Sequence, residues 1–165
     1  LPEISPRLAA FVFAAGLFSL DLATKTLIRA RVSPWDTYVV IPGLLNIVRA
    51  ENRGIAFGLF SDAGGEWRSL VLIVVSAAVL AFVASLLWQP GPQRSAVRVA
   101  LALVLGGACG NLYDRLVHGA VTDFIDVHLG RYHWPAFNVA DSAITIGAGL
   151  LLATLWRAPH PPEKR

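Results

Sequence analysis

Two aspartates stand where this chain could do chemistry: Asp123, in Val121-Thr-Asp-Phe-Ile125, and Asp141, in Asn138-Val-Ala-Asp-Ser142. They lie between two long apolar runs, and Asp141 opens the second of these, which continues to Trp156 without another charge. An ionisable group at the mouth of a lipid-spanning helix is costly to keep, so its default reading is functional and it calls for a partner. Asp123 is that partner. Two carboxylates brought to one site resist ionising together, so one keeps its proton and the other does not, which supplies an acid and a base near neutral pH. As a bare pattern the pair is not unique, since Asp62, Asp114 and Asp126 offer further carboxylates.

Other chemistries fit less well. There is no His-Glu-x-x-His, the helical zinc signature of metallopeptidases. His118, His128 and His133 share a stretch with Asp126 and are the one candidate metal set, but exposed loop histidines account for them better. A Ser-Lys pair would join Ser142 to Lys25, but Asp21 lies one helical turn before Lys25 and favours its charged, non-basic form. Cys109 is the only cysteine and sits in Gly-Ala-Cys-Gly, a setting for a small buried thiol rather than a nucleophile. No metal and no cofactor are expected.

The elements that must hold these residues are set by composition. Of 165 residues, 55% are hydrophobic and 15% charged, against about 25% charged in an average soluble domain. The apolar residues come in four blocks, about Leu8 to Ile28, Trp67 to Trp88, Ala96 to Tyr113 and Phe137 to Trp156, each near bilayer-spanning length. Trp67, Trp88, Tyr113 and Trp156 mark block ends, as interfacial aromatic residues do. The expected fold is mainly α: a polytopic membrane protein, one four-helix domain over residues 1–165, with a proline-rich disordered tail at 158–165. The net charge of +3 is spread over loops and helix ends rather than gathered on a stripe, so no nucleic-acid partner is expected. Thr37 to Gly43 and Leu44 to Arg49 read as an antiparallel ribbon turning at Pro42-Gly43. The stretch from Asn52 to Phe60 reads as a surface helix or flap, with Phe57 and Phe60 apolar and Gly54 as a hinge. Asp21 and Lys25, spaced i, i+4, form either an ion pair at a helix end or part of the site. Asp123 is expected ahead of a strand. The short connections weakly favour both termini inside.

Five motifs in this order and near this spacing resemble the lipoprotein signal peptidases, the bacterial signal peptidase II family. They are Asp21-Leu-Ala-Thr-Lys25, Asn52-Arg-Gly-Ile-Ala-Phe57, Gly110-Asn-Leu-Tyr-Asp-Arg115, Val121-Thr-Asp-Phe-Ile125 and Phe137-Asn-Val-Ala-Asp-Ser142. Ile55 departs from the family's usual Asn-x-Gly-Ala-Ala-Phe. The resemblance implies that Asp123 and Asp141 are the catalytic dyad of a membrane aspartyl endopeptidase, with Asp21, Asn52, Gly54, Asn111, Arg115 and Asn138 in supporting roles. It implies four transmembrane helices with cytoplasmic termini, an extracytoplasmic β-cradle and a surface helix, in the bacterial inner membrane. The implied substrate is a prolipoprotein already carrying a diacylglyceryl group, cut just before the modified cysteine. Membrane lipid is the other expected partner, and the protein is expected to be a monomer. Two readings from other classes stay open on the residues alone: a proton-conducting transporter with Asp21, Lys25 and Asp141 as a relay, and a noncatalytic factor that binds lipoproteins without cutting them.

Overall fold

The computed structural model describes residues 5–54, 65–89 and 94–156. The four apolar blocks form helices α1 (Pro6–Arg31), α2 (Gly65–Trp88), α3 (Ser95–His118) and α4 (Val139–Trp156). Each is long and apolar enough to cross a membrane. Strands β1 (Tyr38–Ile41), β2 (Leu45–Asn52), β3 (Val121–Leu129) and β4 (Tyr132–His133) pair in that order in an antiparallel sheet.

Local signals set the boundaries. Ser5 caps α1 by accepting the Leu8 N–H on its Oγ at 3.3 Å, with Pro6 in the first turn, where a missing N–H costs nothing. Helix α3 stops at Gly119, whose φ of 70° only glycine adopts freely and whose N–H returns to the Arg115 carbonyl at 3.2 Å.

Helix α3 is the centre of the bundle, with half of its apolar window buried against 17% or less in each of the others. Among helices in lipid, close van der Waals contact and hydrogen bonds do the work that water exclusion does elsewhere, and small residues permit them. A Cβ on Gly106 would stand 2.6 Å from the Ala14 carbonyl oxygen of α1, and one on Gly107 would stand 2.5 Å from that of Ala140 in α4. A Cβ on Gly147 of α4 would meet the Ala100 carbonyl oxygen of α3 at 2.7 Å. The contacts Ala14 to Gly106 and Lys25 to Asn111 run in one direction, so α1 and α3 are parallel; Ala140 to Gly107 and Gly147 to Ala100 run oppositely, so α4 is antiparallel to α3. Phe11 of α1 meets Trp88 at the end of α2, ring edge to face, which sets α2 antiparallel to α1. Ala10, Ala14, Val83, Leu87, Leu101 and Leu105 fill the core, while Val12, Val74, Phe82 and Leu155 stay exposed on faces suited to lipid.

This arrangement gathers the C-terminal ends of α1 and α3, the N-terminal end of α4 and the sheet at one end of the bundle. The expected ribbon is β1 and β2, with Gly43 at φ 77° in its turn. Asp123 does not precede a strand: it is the third residue of β3, opposite Ala50 of β2. The histidines are not loop residues either. His118 ends α3, His128 is in β3 and His133 in β4. Phe57, Phe60 and the rest of the expected flap beyond Gly54, like the 158–165 tail, lie outside the described residues.

Candidate active site

Asp123, from the sheet, and Asp141, from the first turn of α4, line one cleft of about 710 Å³ at that end of the bundle. Asn138 joins them. Its side-chain Nδ2 donates to Asp123 Oδ1 at 2.7 Å, and its backbone N donates to Asp141 Oδ2 at 3.2 Å. The Asn138 Oδ1 accepts the Asp141 N–H at 2.9 Å, so the two residues exchange bonds as a capping box and α4 begins on its own candidate catalytic carboxylate. Burial pushes the Asp123 carboxyl up to about 6, and the nearby Asp141 charge adds to the rise, while hydrogen bonds from Asn52 and Asn138 and the Lys25 charge oppose it. A carboxyl at that value holds its proton in a useful fraction of molecules near neutral pH.

Asn52, at the end of β2, donates from Nδ2 to Asp123 Oδ2 at 3.2 Å, and its Oδ1 accepts the Gly54 N–H at 3.1 Å. Asn111 of α3 donates from Nδ2 to Asp141 Oδ1 at 2.7 Å. Arg115, one turn further along α3, lines the cleft with both aspartates and donates to the Asn111 carbonyl at 3.3 Å. It does not make the ion pair with Asp114 that their adjacency invites, because Asp114 faces other cations.

Those cations form a buried cluster beneath the dyad. Lys25 Nζ lies 2.7 Å from Asp21 Oδ2 and 3.4 Å from Asp114 Oδ2, and donates to Asn111 Oδ1 at 2.9 Å. Arg29 NH1 binds Asp114 Oδ1 at 3.0 Å and Thr122 Oγ1 at 2.9 Å, and the Thr122 N–H donates to Asp114 Oδ2 at 3.0 Å. Asp21 Oδ1 accepts the Ala140 N–H at 2.9 Å, which fixes the start of α4 against α1. Two anions, Asp21 and Asp114, thus face two cations, Lys25 and Arg29. Opposite charges in matched number are the condition for keeping such groups buried.

The rival constellations come apart. Lys25 is engaged by Asp21, Asp114 and Asn111, while Ser142 Oγ donates to the Asn138 carbonyl at 2.9 Å, so no Ser-Lys pair forms. His118 meets Asp114 at 3.4 Å, away from His133, which meets Asp126 at 2.8 Å and stacks on His128. Burial works to raise the Asp126 carboxyl, but hydrogen bonds from His133 and Asn46 outweigh it and leave Asp126 below the usual carboxylate range. Cys109 lines a separate apolar groove between α1 and α3.

Sequence reasoning missed the roles of Arg29, Asp114 and Thr122, and it missed the cleft wall formed by Leu72, Trp134, Thr145 and Ile146. Asp114 had a signal, being a second acid within the Gly110 to Arg115 motif. The wall residues had none, since nothing in their types marks which face of their elements they occupy.

Residues 13–157 match the family described as signal peptidase (SPase) II. The chain belongs to the signal peptidase II family. It is 48% identical over 157 residues to the lipoprotein signal peptidase of Solibacter usitatus, covering 95% of this chain and 94% of that one. It is 44% identical over 151 residues to the lipoprotein signal peptidase of Pseudomonas aeruginosa PAO1, covering 89% and 87%. A solved structure described as a bacterial membrane enzyme superposes with a TM-score of 0.81 at 28% identity, covering 95% of this chain and 94% of that one. As a member of this family the protein is a peptidase of a bacterial membrane, crossing it with several helices.

Proposed function

We propose that this signal peptidase II, which removes signal peptides from prolipoproteins, does so as an aspartyl endopeptidase with Asp123 and Asp141 as its acid-base pair. The observation that carries this reading is Asn138, bonded at once to both carboxylates, 2.7 Å to Asp123 and 3.2 Å to Asp141. Asp123, pushed up to about 6, is the member protonated in the reactive form of the pair. Asp141, at the N-terminus of α4 where negative charge is favoured, is the base.

Asp141 takes a proton from a water molecule while the water oxygen bonds to the scissile carbonyl carbon, and Asp123 gives its proton to the carbonyl oxygen. The product is a neutral gem-diol. Asp141 then passes its proton to the leaving nitrogen, Asp123 recovers one from a gem-diol hydroxyl, and the C–N bond breaks to a carboxylic acid and an amine. Both aspartates end as they began. Arg115 beside the pair and the amide donors of Asn52 and Asn111 stabilise charge as it develops.

The substrate is a prolipoprotein whose cysteine already carries a diacylglyceryl group, and the cut falls just before that cysteine. Leu72 of α2 and Ile146 of α4 give the cleft an apolar flank for acyl chains, beside a polar floor for the peptide. The cleft faces the extracytoplasmic side and both termini are cytoplasmic, in keeping with Arg7, Arg94 and Arg98 at the opposite end of the bundle. The chain by itself supplies both aspartates and the amides that hold them, in keeping with an enzyme that acts as a monomer.

The test is mass spectrometry of products after the purified protein meets a diacylglyceryl-modified prolipoprotein in lipid. The reading expects a fragment beginning at the modified cysteine and little cleavage of the unmodified precursor. Tight binding without cleavage would favour an assembly factor and overturn it.

A further inference from the structure

We propose that Lys25 is a positioning residue of the dyad: its buried ammonium fixes which way round the Asn111 amide sits and so holds an N–H donor on Asp141. This deepens, and rests on, the reading of Asp123 and Asp141 as the catalytic pair.

Three asparagines present amide N–H groups to the two aspartates, and each works only one way round. A flipped amide would set its carbonyl oxygen against a carboxylate. An amide is held in one sense when a group that can only donate occupies its oxygen. For Asn52 that group is the Gly54 N–H at 3.1 Å, and for Asn138 it is the Asp141 N–H at 2.9 Å, both from the backbone. For Asn111 it is the Lys25 ammonium at 2.9 Å. Asn138 Nδ2 also reaches Asn111 Oδ1, at 3.3 Å, but the same nitrogen serves Asp123 Oδ1 at 2.7 Å and the Thr122 carbonyl at 3.4 Å. The ammonium is therefore the principal lock.

The surroundings of Lys25 fit that role. The side chain is fully buried; its ammonium donates a hydrogen bond to Asn111 Oδ1 at 2.9 Å and lies 2.7 Å from Asp21 Oδ2 and 3.4 Å from Asp114 Oδ2 as ion pairs. An ion pair serving only to hold helices together would need Asp21 and Asp114 alone. The ammonium donates its hydrogen bond instead to the amide that touches Asp141.

Lys25→Met alone would strip Asp21 of the cation it pairs with and leave Asp114 to Arg29 and His118, so the informative variant is Asp21→Asn/Lys25→Met, which removes one charge of each sign. The amide oxygen introduced at position 21 can still accept the Ala140 N–H that the aspartate accepts in the wild type. We expect this variant to fold with a melting midpoint close to wild type and to bind diacylglyceryl-modified substrate with little change in KM, while kcat falls by about 100-fold, as small misplacement of reacting groups does. Asn111→Ala should cost a similar factor, and the triple variant should be no slower than Asn111→Ala alone to within about threefold, because both changes remove one interaction. Asp21→Asn/Lys25→Gln, whose amide N–H refills the donor position, should recover at least about tenfold of the loss, and it carries the same cycle if the Met variant does not fold. A folded Asp21→Asn/Lys25→Met enzyme with wild-type kcat, losses that multiply in the triple variant, or no recovery with Gln would overturn the proposal. Asp123→Asn and Asp141→Asn run alongside: cleavage by these would defeat the dyad reading itself, whatever Lys25 does.

Discussion

At the scale of single residues, the proposed chemistry turns on the proton of Asp123. Its carboxyl is raised to about 6 chiefly by burial, so the protonated fraction that serves as acid is full below that value and is lost as pH rises through it. The kcat/KM profile of the free enzyme should therefore fall above about pH 6, by nearly tenfold per unit. The corresponding limb of kcat should lie at higher pH, because bound substrate removes water and disfavours the charged form further. A kcat/KM flat from pH 5 to 8 would contradict this assignment. Ser142→Ala and Cys109→Ala should keep most activity, since neither side chain touches the pair in the structure, and a complete loss in Ser142→Ala would reopen serine chemistry. The aspartates and the asparagines around them were legible in the sequence because each sits in a recognisable short motif. How the amides face was not legible, because Lys25 and Asn111 lie 86 residues apart and only the folded bundle brings them together.

At the scale of elements, the helix contacts make opposite predictions for two glycines. A methyl on Gly107 would press on the Ala140 carbonyl oxygen and the Ile144 side chain, so Gly107→Ala should destabilise by about 1–3 kcal/mol and disturb the start of α4. Gly149 has open space around it, so Gly149→Ala should be neutral or should gain up to about 1 kcal/mol of helix propensity. Thermal unfolding in detergent separates them; equal midpoints would mean that α3 and α4 are not packed as described. Four apolar blocks foretold four helices, yet α3 runs past Tyr113 to His118. Asp114 and Arg115 looked like the start of a loop, but Asp114 is neutralised by Arg29 and Lys25 and the helix continues through it. The ribbon was visible in its β-branched runs. Strand β3 was harder, because Thr122, Asp123 and Asp126 are polar and nevertheless buried, which removes the alternation that marks a strand.

At the scale of the whole molecule, the bundle puts the described groups of the candidate site at one end and the start of α1 and the end of α4 at the other. In a Cys109→Ala background, a cysteine at exposed Ser33, beside the sheet, should react with a membrane-impermeant thiol reagent in intact spheroplasts. One at Ser95, at the start of α3, should react only after permeabilisation. The reverse pattern would invert the enzyme. That topology was only weakly legible, because cations fall on both sides of the membrane and the long loops dilute their weight. If two carboxylates held together by Asn138 perform the hydrolysis, neither can be spared. The most direct test is single-turnover cleavage of a diacylglyceryl-modified prolipoprotein in lipid by Asp123→Asn, Asp141→Asn and the double variant, each first shown to be folded. Each single substitution should slow cleavage by about 10²–10⁴-fold, and the double should be scarcely slower than either, since the two groups act as one unit. Cleavage by either single variant within a few-fold of wild type would mean that the pair does not perform the hydrolysis.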